Sequence, residues 1–287
     1  MEVIVLNMNK RKRDKIAGAI YGFAIGDAMG ATTEFMTAKQ IEKKYDKVTD
    51  IIGGGWLGLK AGEITDDTQM TMCVMNALMK TNQNQNATFS DMFAFELRKE
   101  FIKWYESKPK DVGGQCAKAI NRLMRGENFA YADGRALGNG SLMRAMPCAL
   151  INKPSLNILQ GIITHNNTTC SRVILEYTRL IQNYINGILY TQVHLVNPDF
   201  ILEPSGYILN TFNNSIYWSN QKSFEEAIIG AVNDGGDADT IAAITGSLAG
   251  AKFGYKNIPS RWIDQLDPEV KNILENFKNY VFAYLQI

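Results

Sequence analysis

Helical spacing of apolar residues, sustained through most of the chain, limits most strongly what this sequence can become. After Asp66, the residues Met70, Cys73, Val74, Ala77 and Leu78 return at the i, i+3, i+4 intervals of one helix face. The same spacing predicts helices over 89–104, 112–124, 171–188, 224–232 and 240–253. Alternation typical of strands is scarce, with 190–196 the one modest candidate. A chain of 287 residues, 46% hydrophobic, can bury a sizeable core. The expected fold is all-α, a compact orthogonal helical bundle with long functional loops. Breaks are expected at 53–55, 81–86, 133–134 and 213–214. None reads as a linker, so the whole span 1–287 is expected to be a single domain, with 1–13 a short N-terminal extension.

Gly18, Gly22, Gly26 and Gly30 fall four residues apart inside the most apolar stretch, which also carries Asp27. On a helix they share one side. Each costs up to about 1 kcal/mol of helix propensity relative to Ala, so something must compensate. Close packing of another helix accounts for Gly18 and Gly22; Gly26 and Gly30 are expected at a helix end that delivers Glu34 to a site. The stretch is too short to span a bilayer. The N-terminus has its apolar and basic runs in the reverse of the secretory order, and a soluble, cytoplasmic protein is expected. Cys73, Cys116, Cys148 and Cys170 form no CxxC pair and read as buried, reduced thiols. A net charge of +1 gives no support for a nucleic-acid partner.

The chemistry concentrates in two acidic turns, each at the start of a predicted helix. The first is Thr65, Asp66, Asp67 and Thr68; the second is Gly235, Gly236, Asp237, Ala238, Asp239 and Thr240. Helix capping accounts for one such turn. Two turns, each with paired carboxylates and a threonine, ask for more. Brought together, four carboxylates would repel unless cations joined them. The donors are hard oxygens without Cys or His, which selects Mg²⁺ or Mn²⁺ over Zn²⁺ and allows a two-metal site.

Taken in order, these motifs resemble the ADP-ribosylglycohydrolase family, within it the dinitrogenase reductase-activating type. The likeness covers roughly residues 14 to 265: the glycine-spaced segment 18–30, Glu34 with Phe35 and Met36, the Gly-Gly-Gly-Trp run 53–56 leading to Thr65–Thr68, then 138–144 with Pro147, Thr164 with His165, and 235–240. The resemblance implies an all-α fold and a pair of Mg²⁺ or Mn²⁺ ions. It implies Thr65, Asp66, Asp67, Asp237, Asp239 and Thr240 as ligands and Glu34 as an acid near the metals. The implied reaction is hydrolysis at C1 of the distal ribose of an ADP-ribosylated protein, arginine-linked, with release of ADP-ribose.

Two further segments take roles from that likeness. Gly138, Asn139, Gly140 and Ser141 form a glycine-rich turn before an expected helix, suited to a pyrophosphate but lacking the P-loop Lys-Ser/Thr. With Met143 and His165 they are assigned to the ADP-ribose pocket, while Arg144 could equally be structural. Asp111, by itself an ordinary helix cap, lies in an Asp-Val-Gly segment that the subgroup places beside the scissile bond. Asp67, Glu34 and Asp111 are thus the expected catalytic groups. The subgroup has a polar residue where this chain has Gly114, so the acceptor contacts do not carry over. Other acceptors (serine, a nucleic-acid base, a small conjugate), pyrophosphate cleavage and a non-catalytic ADP-ribose binder are the competing readings. Trp56 either walls the pocket or packs the core.

Overall fold

Two helices whose backbones touch form the centre of the molecule. The computed structural model describes residues 2–81, 88–189 and 192–287, with side chains from Asn7 onward. Helix α1 (Glu2–Gly30) runs antiparallel to α11 (Ala238–Phe253). Along their seam a methyl group on Gly18 would strike the Gly250 carbonyl, on Gly22 that of Gly246, on Gly26 that of Ala242 and on Gly30 that of Ala238. The glycine spacing is therefore a close-packing device along its whole length. This corrects the expectation for Gly26 and Gly30, which pack against α11 as tightly as the others. Gly30 also ends α1, and a turn in which Glu34 N–H donates to the Gly30 carbonyl (3.1 Å) carries the chain to Glu34. Residues 2–13, expected as an extension, continue α1.

Every residue of α11 from Ala238 to Ala251 is buried. Around it stand α1, α8 (Thr168–Ile185), α9 (Ile208–Ser219) and α10 (Phe224–Asp234). A second layer holds α3 (Asp66–Lys80), α4 (Phe89–Glu106), α5 (Gly114–Leu123), α6 (Met146–Leu150) and α7 (Pro154–Ile162). α13 (Pro268–Leu285) packs on α1 and α3, while the short α2 (Ala38–Tyr45) and α12 (Ser260–Gln265) lie against α10 and α1. The all-α expectation holds: the described residues contain isolated bridges but no strand. Residues 192–196 are irregular, 190 and 191 lie outside the described residues, and so does 82–86 of the expected polar break. All four cysteines are buried and free. Among the described residues no helix is long and apolar enough to cross a membrane.

One expected break is a helix interior. Asn213 and Asn214 sit fully buried within α9. Their amides replace a missing secondary-structure partner for the preceding loop. Asn213 Nδ2 donates to the Phe200 carbonyl (2.7 Å), and Asn214 exchanges two bonds with the Leu202 backbone (2.8 Å each). Asparagine signals a turn when its amide bonds locally; here it bonds at a distance.

Helix propensity alone would have Gly22→Ala stabilise the protein by about 1 kcal/mol. The seam reverses the sign: a loss of about 2 kcal/mol or more is expected, read as a lower urea midpoint. A raised midpoint would overturn the backbone-contact account.

Candidate active site

The seam brings three chain segments to one end of the molecule. From α1, the buried Asp27 reaches across to the start of α3. Its carboxylate accepts the Thr65 N–H (3.1 Å), the Thr65 hydroxyl (2.8 Å) and the Thr68 N–H (3.0 Å). Donors that the first turn of α3 would otherwise leave unpaired are thus met by a side chain from another helix. Thr65 in turn caps Asp67 N–H at 3.3 Å. Asp66 and Asp67 are released from capping and line a cavity of about 620 Å³. Thr65 itself faces Asp27 and is not among the lining residues.

The second acidic turn starts α11. Gly235 and Gly236 adopt positive φ (80° and 63°), and the Gly236 backbone pairs with Met36 and Phe35 (2.8 and 2.7 Å). Glu34 is thereby held beside Asp237 and Asp239, with one oxygen of each within 4.8 Å of the others. Asp237 accepts from the Asn139 amide and from the Thr240 hydroxyl (3.1 Å). Asp239 accepts the Thr240 N–H at 2.9 Å. Glu34, Asp66, Asp67, Asp111, Asp237, Asp239 and Thr240 all line the cavity, and among the described residues no lysine or arginine does.

The expected nucleotide loop lies along the same cavity, but the helix expected to follow it begins later. Asn139–Ser141 is a single 3₁₀ turn, and α6 starts only at Met146. Gly138, Asn139, Gly140, Met143 and His165 line the cavity; Ser141 is fully buried beneath it. Arg144 supports the loop from below. Fully buried, it donates to the carbonyls of Gly140 and Gln160 (2.9 Å for Gln160) and to the Thr164 hydroxyl (2.6 Å), with its guanidinium over the Phe101 ring. Thr164 Oγ1 lies 2.7 Å from His165 Nδ1. Burial, aided by Arg144, pushes the His165 imidazolium down to about 3, so the ring is neutral near pH 7. Gly140 rests on that ring: a Cβ there would come within 2.8 Å of His165 Cε1.

Asp111 does not cap α5. That role falls to Gly113, without a side-chain bond, while among the described residues the Asp111 carboxylate accepts only the adjacent Val112 N–H, and it faces the cavity. Trp56 neither walls this cavity nor packs the core: half exposed, it lines a neighbouring hollow, and it donates its indole N–H to Glu34 Oε2 at 2.5 Å. Sequence reasoning missed Asp27 as a site residue, although an aspartate inside an apolar helix was the available signal. It also missed Phe35 and the 204–206 segment, where Gly206 pairs with Asn139 (3.0 Å) and only a Pro-Ser-Gly turn marks the position.

Burial raises Glu34 to about 8 and Asp66 to about 7, and lifts Asp67 and Asp239 well above the ordinary carboxylate range; neighbouring carboxylates add to each shift. Among the described residues, Asp67 Oδ2 is buried with no hydrogen-bond partner. An orphaned carboxyl oxygen among hard donors fits a divalent cation. The residues fit such a group.

These carboxyls bind protons more tightly folded than unfolded. For Glu34 and Asp66 the contribution to stability is therefore complete below about pH 4 and lost as pH rises through about 7 to 8. In chelator the urea midpoint should fall between about pH 5 and about pH 8, and added Mg²⁺ or Mn²⁺ should restore it at the upper end. A midpoint insensitive to both pH and metal would contradict this.

Known proteins are similar to this chain over nearly its whole length. Residues 8–285 match the ADP-ribosylglycohydrolase family. The chain is 37% identical over 279 residues to the ADP-ribosyl-[dinitrogen reductase] glycohydrolase of Rhodospirillum rubrum, covering 90% of this chain and 92% of that protein. It is 30% identical to the ADP-ribosylarginine hydrolase Tri1 of Serratia proteamaculans, covering 91% and 78%. A solved structure described as an ADP-ribosylglycohydrolase-related protein complex superposes with a TM-score of 0.80 at 26% identity, over 96% of this chain and 99% of that one. With the family matched from end to end and relatives this similar, the chain belongs to the ADP-ribosylglycohydrolase family.

Proposed function

We propose that the protein hydrolyses the N-glycosidic bond of ADP-ribosylated arginine on a protein, releasing intact ADP-ribose, and that it needs two Mg²⁺ or Mn²⁺ ions to do so. One observation carries the reading: among the described residues a set of buried carboxylates, one with an orphaned oxygen, converges at a cavity that no cationic side chain lines. Asp66, Asp67, Asp237, Asp239 and Thr240, which line the cavity, would hold the ions, and Thr65, behind them with its hydroxyl proton given to Asp27, would have only an oxygen lone pair to add. When bound, the ions supply Lewis acidity toward water and sites for the ribose hydroxyls.

The chain's own groups divide the remaining work. Glu34 orients the attacking water and accepts its proton as the bond from C1 to the guanidine nitrogen breaks. Asp111, free of any capping duty, delivers or steers a proton to the departing guanidine. The segment Gly138, Asn139, Gly140 and Met143, resting on neutral His165, receives the ADP portion, while Ser141 and Arg144 hold the loop from beneath. Relatives named as ADP-ribosylarginine hydrolases favour arginine as the acceptor. Buried free thiols suit a reducing compartment, the cytoplasm. The family match over 8–285 supports reading 1–287 as one domain.

Release of ADP-ribose from ADP-ribosylarginine should require divalent metal and stop in chelator. Asp67→Asn and Asp237→Asn should each lower kcat by about a hundredfold or more. Undiminished turnover in either variant would refute the assignment. AMP as product would indicate pyrophosphate cleavage, and turnover confined to a serine or base conjugate would change the acceptor.

A further inference from the structure

Glu34 is assigned a demanding task, yet its carboxylate is held by a single donor. Among the described residues, only the Trp56 indole N–H donates to it, at 2.5 Å. Everything behind Trp56 is fixed. Gly55 adopts φ +66°, and a side chain there would collide with the Ala31 carbonyl one turn before Glu34. Thr32 Oγ1 donates to the Gly53 carbonyl at 3.0 Å. Gly54 and Leu59 close the loop with a reciprocal pair of backbone bonds (2.7 and 2.9 Å). Trp56 itself is 51% exposed, so this rigid tip does not exist to fill the core. Its ring leans on Phe35 at 5.4 Å, and Trp56 lines a second hollow of about 650 Å³ with Lys43 and Lys44, which shares Glu34 and Phe35 with the acidic cavity.

We infer that Trp56 is a positioning residue that latches Glu34 Oε2, leaving the other carboxylate oxygen to face the reacting water. The inference rests on the role given to Glu34 above. Glu34 borders both hollows, so without the latch its carboxylate can turn toward Lys43 and Lys44, and the fraction of molecules with the acid in place falls.

Trp56→Phe keeps an aromatic ring and removes the N–H. It should lower kcat about tenfold while KM for ADP-ribosylarginine stays within about twofold, because ground-state contacts to the nucleotide are untouched. In a Glu34→Ala background the same change should cost nothing further. A second readout is independent of turnover. In ¹⁵N-labelled protein the Trp56 indole resonance, identified by its absence in Trp56→Phe, should lie downfield and move to the free-indole position in Glu34→Ala. An unchanged kcat in Trp56→Phe, an additive loss in the double variant, or an indole resonance indifferent to Glu34→Ala would each overturn the latch. If the wild type releases no ADP-ribose from arginine conjugates, the functional reading fails, and the indole resonance still decides the latch.

Discussion

Backbone contact between α1 and α11 is the constraint on which the rest of the structure depends. At most helix interfaces, side chains set the spacing and can repack when one changes. Here the carbonyls of Gly246 and Gly250 lie against Gly22 and Gly18 with nothing between. The contact fixes axial position, rotation and distance together. Asp27, one residue beyond Gly26, is thereby placed where it can cap α3, and Glu34 arrives beside the start of α11. Helix propensity is sacrificed at four positions to obtain a spacing that no larger residue permits.

That rigidity answers an electrostatic problem. Carboxylates gathered in a cavity without a lysine or arginine repel one another, and a soft scaffold would relieve the repulsion by spreading. The scaffold instead resists on every side. Asp27 fixes Thr65 and Thr68, the Gly236 backbone pins the Glu34 segment, and Asn139 and Thr240 hold Asp237. Among the described residues the fully buried Arg144 is engaged with carbonyls and a hydroxyl beneath the Gly138–Ser141 loop and forms no ion pair. A divalent ion at this site would relieve the strain toward spreading.

Much of this was legible in the sequence, for reasons that differ from residue to residue. The helices α3, α4 and α8 announce themselves because each has one buried face, and the period of that face survives in the order of residues. Both acidic turns were legible because paired carboxylates with a threonine exceed what capping requires. What stayed hidden depends on partners distant in the chain. Nothing local distinguishes the amides of Asn213 and Asn214 from those of a turn, since Phe200 and Leu202 become neighbours only after folding. Asp111 resembled a cap because its sequence position is that of a cap; the backbone places Gly113 there instead. Asp27 was visible as an anomaly in an apolar helix, but its use appears only when α3 lies alongside. The order of Gly138 to Ser141 promised a helix start, and the site of Arg144 beneath the loop explains the 3₁₀ turn found there, because Gly140 must bend its carbonyl toward the guanidinium.

The pairing of α1 with α11 also has a consequence for the order in which the molecule is made. A ribosome releases α1 well before α11, and the glycine-lined face has no partner until roughly 200 further residues have followed. Through that interval an apolar helix with weak helix propensity waits with its contact surface uncovered. Asp27 and Glu34 wait with it, because their repulsive neighbours at 237 and 239 belong to the later segment. The acidic centre therefore assembles only once α11 has emerged, when the burial of α1 can offset its charge. A nascent chain halted before α11 would show its glycine-lined face to solvent and hold only part of the acidic centre.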